Sequence, residues 1–323
     1  MKRSKIFAVF AIIFGAIVAV GCLLLFLFKT TDLNINAPIE PNILANYGSL
    51  VGGVVGVLFS LAGVLLLIQN LENQETAFLK QQIENRFFEL VRIARENSKE
   101  ISIKDRSGKK VFLVLLREYY ACLEIIQPVA QLYKLSELEM INLSYLCFFY
   151  GAIGRGAKDV LRRRLTNKHE TRFLDDIFKV FEENRSIYMD KFNYVPFDGH
   201  QSRLGHYYRH LFQSVRYINE QPKNLLSYKE KYEYVKTLRA QLSNQEQALL
   251  FLNSLSDLGL PWERSNKIID VNQKLITKYN LIKNIPDGFL EKGIDIRSYY
   301  PDIKYEGDLS PSPERQEFEK LYC

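Results

Sequence analysis

The densest group of chemically active side chains lies in DGHQSRLGHYYRH, residues 198–210, which holds three of the four histidines of the chain. On a helix, His206 and His210 are one turn apart, and His200 or Asp198 from the preceding loop would supply a third metal ligand. The glutamate of a HExxH hydrolase is absent, because a tyrosine follows the first histidine of the pair. We therefore expect no metal and no other cofactor, with His200, His206 and His210 as the only metal-ligand candidates.

Arginine and histidine also stand at spacings that suit cleavage of a phosphodiester bond. Arg203 and His210 enclose six residues, and Arg164 and His169 enclose four. In such a pair the arginine stabilises the charge of the phosphorane while the histidine transfers protons. The R-x(4–6)-H pattern is typical of ribonucleases of the HEPN type, but it is short enough to arise often by chance. Arg203, His206 and His210 are the catalytic candidates under this alternative.

The helix that carries these residues also has a purely structural interpretation. Apolar side chains at helical spacing predict a core stripe: Leu204, Tyr208, Leu211, Val215 and Ile218. Polar side chains predict a second stripe: Arg203, His206, His210, Gln213 and Tyr217. The histidines would then hydrogen-bond buried partners, and we favour this non-enzymatic interpretation over a metal site or a nuclease.

A second polar feature is YGAIGRGAKDVLRRRL, residues 150–165, in which three glycines precede a basic run. A phosphate-binding P-loop needs the G-x(4)-G-K-[ST] spacing after a strand, and the sequence has neither. We predict a helix break followed by a basic helix. Its arginines could contact anionic lipid or nucleic acid, and direct nucleic-acid binding stays open.

The elements that position these residues are predicted to be helices. Capping boxes of the form S-x-x-E at Ser136, Ser227 and Ser243 predict three helix starts, where serine and glutamate satisfy free backbone amides. Apolar periodicity predicts helices near 110–126, 137–150, 156–165, 171–187, 203–218, 228–241, 244–256 and 265–280. No alternating strand pattern of useful length is evident, so the predicted fold class is all-α.

Two long apolar segments precede these helices. Residues 6–28 carry no charge, and neither do residues 43–71. Each run exceeds the roughly 20 residues that cross a bilayer as a helix, so we predict a transmembrane hairpin with spans at about 6–28 and 47–68. A cleaved signal peptide is the competing interpretation, but the first run is long for one and lacks a small-residue cleavage site before a polar start.

The distribution of charge predicts the topology and the domains. Basic residues precede the first span and follow the second, whereas the connector holds a single lysine (Lys2, Arg3 and Lys5; Lys80 and Arg86; Lys29). The positive-inside rule then places both termini in the cytoplasm. We predict a two-span region at 1–70, a helical cytoplasmic domain at 71–300 that begins with a stalk helix at about 71–101, and a loosely ordered tail at 301–323.

Composition adds few restrictions. The formal net charge of +6 is too small to imply nucleic-acid binding by itself. The four cysteines form no C-x-x-C pair, which argues against a disulfide scaffold and a cysteine-based zinc site and fits a reducing cytoplasm.

Both predicted spans carry small residues at regular spacing. These residues are Ala11, Gly15 and Ala19 on the first span, and Gly48, Gly52, Gly56 and Ser60 on the second. Such stripes allow helix backbones to approach closely in lipid. They predict helix packing either within one hairpin or between copies of the chain.

Four segments together resemble one family: RFFELVRIARENSKEI (86–101), GHYYRHLFQSVRYI (205–218), LRAQLSNQEQALLFLNSLS (238–256) and LITKYNLIKNI (275–285). In this order they are similar to the phage abortive infection proteins of the AbiC-like group. The layout is also similar to the two-transmembrane effectors of retron antiphage systems. The resemblance implies a multi-pass protein of the bacterial inner membrane, but it supplies no catalytic residues.

From this resemblance we expect an antiphage effector that, on activation, disrupts the inner membrane and causes growth arrest or cell death. Its expected partners are the lipid bilayer and either further copies of the chain or a regulatory partner, such as a retron reverse transcriptase with its DNA. Two alternatives stay open: a membrane-tethered HEPN-like ribonuclease, and a non-catalytic sensor or scaffold for another toxin.

Overall fold

The computed structural model of the chain describes residues 2–30, 41–263 and 274–321. Over these residues it consists of helices and one short hairpin, which confirms the predicted all-α class. The chain divides into two compact units, Met1–Gln82 and Ile83–Cys323. Helix α2 contributes residues to both units.

Unit 1 contains α1 (Lys2–Thr30) and the first part of α2 (Pro41–Glu100). Both helices are long and apolar enough to cross a membrane. They pack antiparallel: a Cβ on Gly15 would lie 3.4 Å from Leu58 Cβ, and the rings of Phe26 and Tyr47 are 4.4 Å apart. Gly15 of α1 thus packs against Leu58 and Phe59 of α2.

The glycine stripe of α2 lies outside this packing. A Cβ on Gly48, Gly52 or Gly56 would meet no heavy atom of the described residues within 4 Å. Ser60 is exposed, whereas Ala11 is buried and Ala19 is half-buried. Within one chain, the two stripes of small residues are therefore not packed against each other.

Unit 2 begins with the end of α2 and a hairpin of β1 (Ser102–Ile103) and β2 (Arg106–Ser107), paired antiparallel. The helices that follow are α3 (Lys109–Leu132), α4 (Glu137–Tyr150), α5 (Arg155–Leu165), α6 (Thr171–Phe192), α7 (Gln201–Asn219), α8 (Tyr228–Arg239), α9 (Asn244–Leu255), α10 (Leu260–Glu263), α11 (Leu275–Tyr279), α12 (Ile296–Tyr299) and α13 (Pro313–Lys320).

The core of unit 2 is built around α3, which contacts α4, α6 and α9. Every residue from Leu143 to Tyr150 in α4 and from Glu246 to Leu255 in α9 is buried. A helix that is buried on all sides needs apolar side chains around its whole circumference, which explains the near-continuous apolar sequences of α4 and α9. These helices form the rigid support of the candidate site.

The predicted helix starts are confirmed where capping boxes announced them. Ser136, Ser227 and Ser243 each accept a hydrogen bond from the backbone amide three residues on, and the glutamate at that position accepts from the serine amide. Each such cap stabilises its helix by about 1 kcal/mol. The predicted helix at 265–280 falls partly outside the described residues, since residues 264–273 are not described, and the remainder forms α11.

The end of the chain differs from the expected loosely ordered tail. Within residues 301–321, Tyr305 and Arg315 are buried, and α13 begins at a Ser312 cap followed by a proline. The Arg315 guanidinium donates to the Thr277 carbonyl at the end of α11 (2.5 Å) and to Glu319 (2.8 Å). A buried arginine thus adds a second hydrogen bond to a carbonyl at a helix C-terminus, an interaction that composition alone does not reveal.

Candidate functional site

Two loops cross in direct backbone contact just before α7. The His200 amide donates to the Phe149 carbonyl (2.8 Å). At the crossing, Gly151 and Gly199 have φ values of 89° and 92°, which favour glycine. A Cβ on Gly199 would lie 2.5 Å from the Tyr150 carbonyl carbon, and one on Gly151 would lie 2.7 Å from the opposite backbone. Glycine is therefore required at both positions, and the crossing fixes where α7 begins.

A buried carboxylate anchors the same loop. Glu118, which is 0% exposed, lies 2.9 Å from His200 (Oε2 to Nε2) and accepts hydrogen bonds from the Phe197 amide (2.7 Å) and the Tyr194 hydroxyl. Burial favours the neutral acid, but His200 and these donors outweigh that effect and lower the pKa of Glu118. The loop before α7 is thus tied to α3 by a charged group in the core.

His200 in turn contacts Arg203. The Arg203 guanidinium lies 3.3 Å from His200 Nδ1 and donates to the Ser102 carbonyl (3.2 Å) and the Gly199 carbonyl (3.4 Å). Arg203 therefore connects the start of α7 to β1, so its position has a structural explanation. His200 is buried against the Phe148 ring, with the ring centroids 4.9 Å apart.

Beside the crossing, one face of α7 lines an open cleft of about 770 Å³. At about 100° per residue, side chains three and four positions apart share a face. The residues that line the cleft are Phe149, Tyr150, Asp198, Gly199, Gln201, Ser202, Gly205, His206, Tyr208, Arg209, Phe212, Asn253, Leu258, Pro261 and Trp262. All of them belong to unit 2, so the cleft is formed within one compact unit.

The cleft combines aromatic walls with a few polar groups. Phe212 and Trp262 meet edge to face with their ring centroids 5.0 Å apart. The Arg164 guanidinium stacks on Tyr150 at 4.6 Å from the ring centroid. Asn253 donates to the Tyr145 hydroxyl behind the cleft wall (3.2 Å). The cleft thus combines aromatic rings with polar groups, as small-molecule sites do, and polar groups supply at least as much of its lining as apolar ones.

His206 and Arg209 are the basic side chains that line the cleft. Both are exposed, and Arg209 NH1 lies 3.4 Å from His206 Nδ1. His206 also lines a smaller neighbouring cavity of about 380 Å³ together with Arg203 and Ser202. Of the polar stripe predicted on α7, His206 lines both cavities and Arg203 lines the smaller one, whereas the remaining residues line neither. Arg209, on the face between the predicted stripes, lines the larger cavity.

The other catalytic candidates are not brought together. His210 lines neither of these two cavities, and its predicted partner Arg203 is engaged by backbone carbonyls. Arg164 stacks on Tyr150, whereas His169 packs against Phe173, and burial lowers the pKa of His169.

The core stripe predicted on α7 is confirmed, since its five residues are all buried.

The metal-ligand candidates are also separated by their surroundings. His200 is buried against Glu118, whereas His206 faces the cleft beside Arg209. In the part of the chain that the structure describes, no group of three or more histidine, cysteine, aspartate or glutamate side chains is arranged to hold a metal ion.

The predicted break between two helices is found at the glycines. Gly151 ends α4 and Gly154 precedes α5.

The cleft-forming part of the chain is the part that matches a known family. Residues 199–290 match the family model described as "Putative phage abortive infection protein". This segment is AbiC-like. The AbiC-like segment contains three of the four stretches that carried the resemblance and most of the residues that line the cleft. The match supports a role in phage defence. No curated protein and no solved structure matches the chain.

Several residues of the site escaped the sequence analysis. Glu118 lies in α3, distant in sequence from His200, and no local pattern marks it. Trp262 and Asn253 reach the cleft only because α9 and α10 pack beside α7. The one available signal was that Trp262 is the single tryptophan of the chain.

Proposed function

We propose that the chain is an antiphage effector of the abortive-infection type that resides in the bacterial inner membrane. On activation it disrupts the membrane and arrests growth. The AbiC-like segment supports the role in phage defence. The two long apolar helices of unit 1 support a site of action in the membrane.

The observation that carries the proposal is the exposure of large apolar side chains in unit 1. Ile6, Phe7 and Phe10 are 65%, 64% and 65% exposed, and Val57 and Leu67 are 63% and 58% exposed. Leaving such a side chain in water instead of burying it costs about 1.5–3 kcal/mol. A bilayer would remove this cost along both helices, and it also enforces helicity in a segment rich in glycine.

The open glycine stripe supports assembly between copies of the chain. Gly48, Gly52 and Gly56 are not covered by α1, so the face they form is available to a second chain in lipid. The predicted spans carry no charge, which disfavours a selective ion channel and favours unselective leakage through an assembled pore. In this proposal both termini lie in the cytoplasm, as the basic residues around the spans favour.

The trigger in this proposal acts on unit 2 in the cytoplasm. A regulatory partner, such as a retron reverse transcriptase with its DNA, would hold the chain inactive until infection. The ribonuclease alternative has weaker support, because Arg203 is bound by carbonyls and His210 lines neither cavity. A sensor or scaffold role for another toxin would use the same cleft without requiring membrane leakage.

A phage-protection assay with bulky residues on the stripe tests the proposal. Gly52→Leu with Gly56→Leu should abolish protection while the protein still resists alkaline extraction from membranes. Gly21→Leu is the matched control, because a Cβ at Gly21 also meets open space but lies on α1. Full protection by the double variant, or extraction of the wild-type chain by alkali, would contradict the proposal.

A further inference from the structure

We propose that the cleft of unit 2 binds a nucleotide, that is, an aromatic base together with a phosphate group. This inference concerns unit 2 alone and does not depend on what unit 1 does in the membrane. It rests on the size of the cleft, its aromatic walls and the placement of its charges.

The size of the cleft suits a small ligand. Its volume of about 770 Å³ lies within the range of roughly 300–1,000 Å³ that is usual for small-molecule and cofactor sites. The rigid helices α4, α7 and α9 supply much of its wall, so the cleft exists before any ligand arrives. A ligand would therefore lose little affinity to reorganisation of the protein.

Five of the fifteen residues that line the cleft are aromatic. Phe149, Tyr150, Tyr208, Phe212 and Trp262 all line the cleft. Every nucleobase has a π-face that can stack on such rings, whereas most anionic metabolites do not. The side-chain amide of Gln201, which also lines the cleft and is exposed, carries both donors and an acceptor that suit the edge of a base.

The charges that line the cleft favour an anion at one side. His206 and Arg209 converge there, and among the described residues Arg209 forms no ion pair with a carboxylate. The single acidic residue of the cleft wall is Asp198. A Cβ at Gly154 would lie 3.6 Å from Asp198 Oδ1, so this carboxylate sits at the N-terminus of α5, where the helix dipole compensates its charge. Arg209 therefore remains available to a phosphate.

The single tryptophan provides a built-in reporter. Trp262 lines the cleft, so tryptophan emission, excited selectively over that of the 19 tyrosines, reports on this position alone. The full-length protein in detergent micelles would be titrated with AMP, GMP, CMP and UMP, and separately with a short 5′-phosphorylated oligothymidylate. Adenosine and inorganic phosphate test the base and the phosphate separately.

We expect a saturable change in fluorescence with at least one nucleotide probe at concentrations up to about 1 mM. Arg209→Gln should weaken binding by at least about tenfold, because it removes a charge-assisted hydrogen bond. Arg216→Gln is the matched control: it lies on the same helix, is exposed, pairs with Glu220 and does not line the cleft. Arg209 is exposed, so its replacement should leave the fold intact.

Binding of the mononucleotides identifies a free nucleotide as the ligand, and binding of the oligothymidylate alone identifies the end of a single strand. Either result supports the proposal. It is overturned if no probe binds, if Arg209→Gln binds as tightly as the wild type, or if inorganic phosphate alone binds as tightly as the nucleotides.

Discussion

Glu118 and His200 lie 2.9 Å apart, Oε2 to Nε2, in the interior of unit 2, with side chains 0% and 3% exposed. Glu118 comes from the central helix α3, and His200 stands at the start of α7, which lines the cleft. Their contact ties the loop before α7, which crosses the other loop at Gly151 and Gly199, to α3. This buried contact therefore acts together with the loop crossing to fix the position of the cleft wall.

Glu118→Gln should destabilise unit 2 by about 3 kcal/mol, because it leaves His200 and its neighbours without a charged acceptor in the core. Urea unfolding of the full-length chain in micelles, followed by Trp262 fluorescence, measures the change. Glu124→Gln on the same helix should change stability by less than about 1 kcal/mol, since Glu124 is exposed, pairs with Lys292 at 3.5 Å, and as a glutamine can still accept the hydrogen bond from the Tyr188 hydroxyl. Equal effects of the two variants would contradict this account.

Replacing the crossing glycines should be more damaging than replacing a helical one. Gly199→Ala or Gly151→Ala should cost at least about 2 kcal/mol, since the new Cβ meets backbone atoms and φ is positive. Gly156→Ala in α5 is the control, because its Cβ meets no described atom within 4 Å, and it should be neutral or stabilising by up to about 1 kcal/mol. Thermal unfolding distinguishes the variants. If Gly199→Ala unfolds at the same temperature as the wild type, the two loops do not cross in the close backbone contact described.

The stability of unit 2 should depend on pH through Glu263. Burial raises the pKa of Glu263 to about 7, although its carboxylate accepts hydrogen bonds from the Ile276 and Thr277 amides (3.1 and 3.2 Å). The pKa of Glu263 is higher in the folded chain than in the unfolded chain, so the protonated carboxyl favours folding. This contribution to the free energy of unfolding is complete below pH 4.5, the unfolded value, and is lost as the pH rises to about 7.

We therefore expect the free energy of unfolding to fall by about 1–3 kcal/mol between pH 5 and pH 7. Glu263→Gln, which stays neutral, should flatten this dependence. Urea unfolding at several pH values measures it. A Glu263→Gln curve parallel to that of the wild type would show that another group is responsible. Glu118 cannot imitate the effect, because its pKa is lowered and its contribution is lost only in more acidic solution.

His210→Ala should leave phage protection unchanged, because His210 lines neither cavity and its nuclease partner Arg203 is bound to carbonyls. Gln213→Ala, an exposed change on the same helix, is the control. Loss of protection together with loss of RNA cleavage in His210→Ala alone would instead favour the ribonuclease alternative.

Local chemistry made much of the fold predictable. The capping boxes and the core stripe of α7 depend on residues three or four positions apart, so the sequence displays them directly. In contrast, the pair of Glu118 and His200 and the docking of Arg315 on the end of α11 join residues far apart in the chain. Such contacts depend on tertiary packing, and a single sequence carries no pattern for them.

The same limit applies to the cleft. The histidine-rich stretch lies at the start of α7, beside the cleft, but spacing alone paired Arg203 with His210. The structure instead places His206 beside Arg209, because the loop crossing and the rotation of α7 decide which side chains share a cavity. The aromatic wall from α9, α10 and the end of α4 could not be assigned without knowing how these helices pack.

The most direct test of the central claim is a time course of membrane potential and total RNA in infected cells that express the full-length chain. The account predicts that the membrane depolarises while cellular RNA is still intact, and that Gly52→Leu with Gly56→Leu prevents this depolarisation. Degradation of RNA in cells that keep their membrane potential would contradict it.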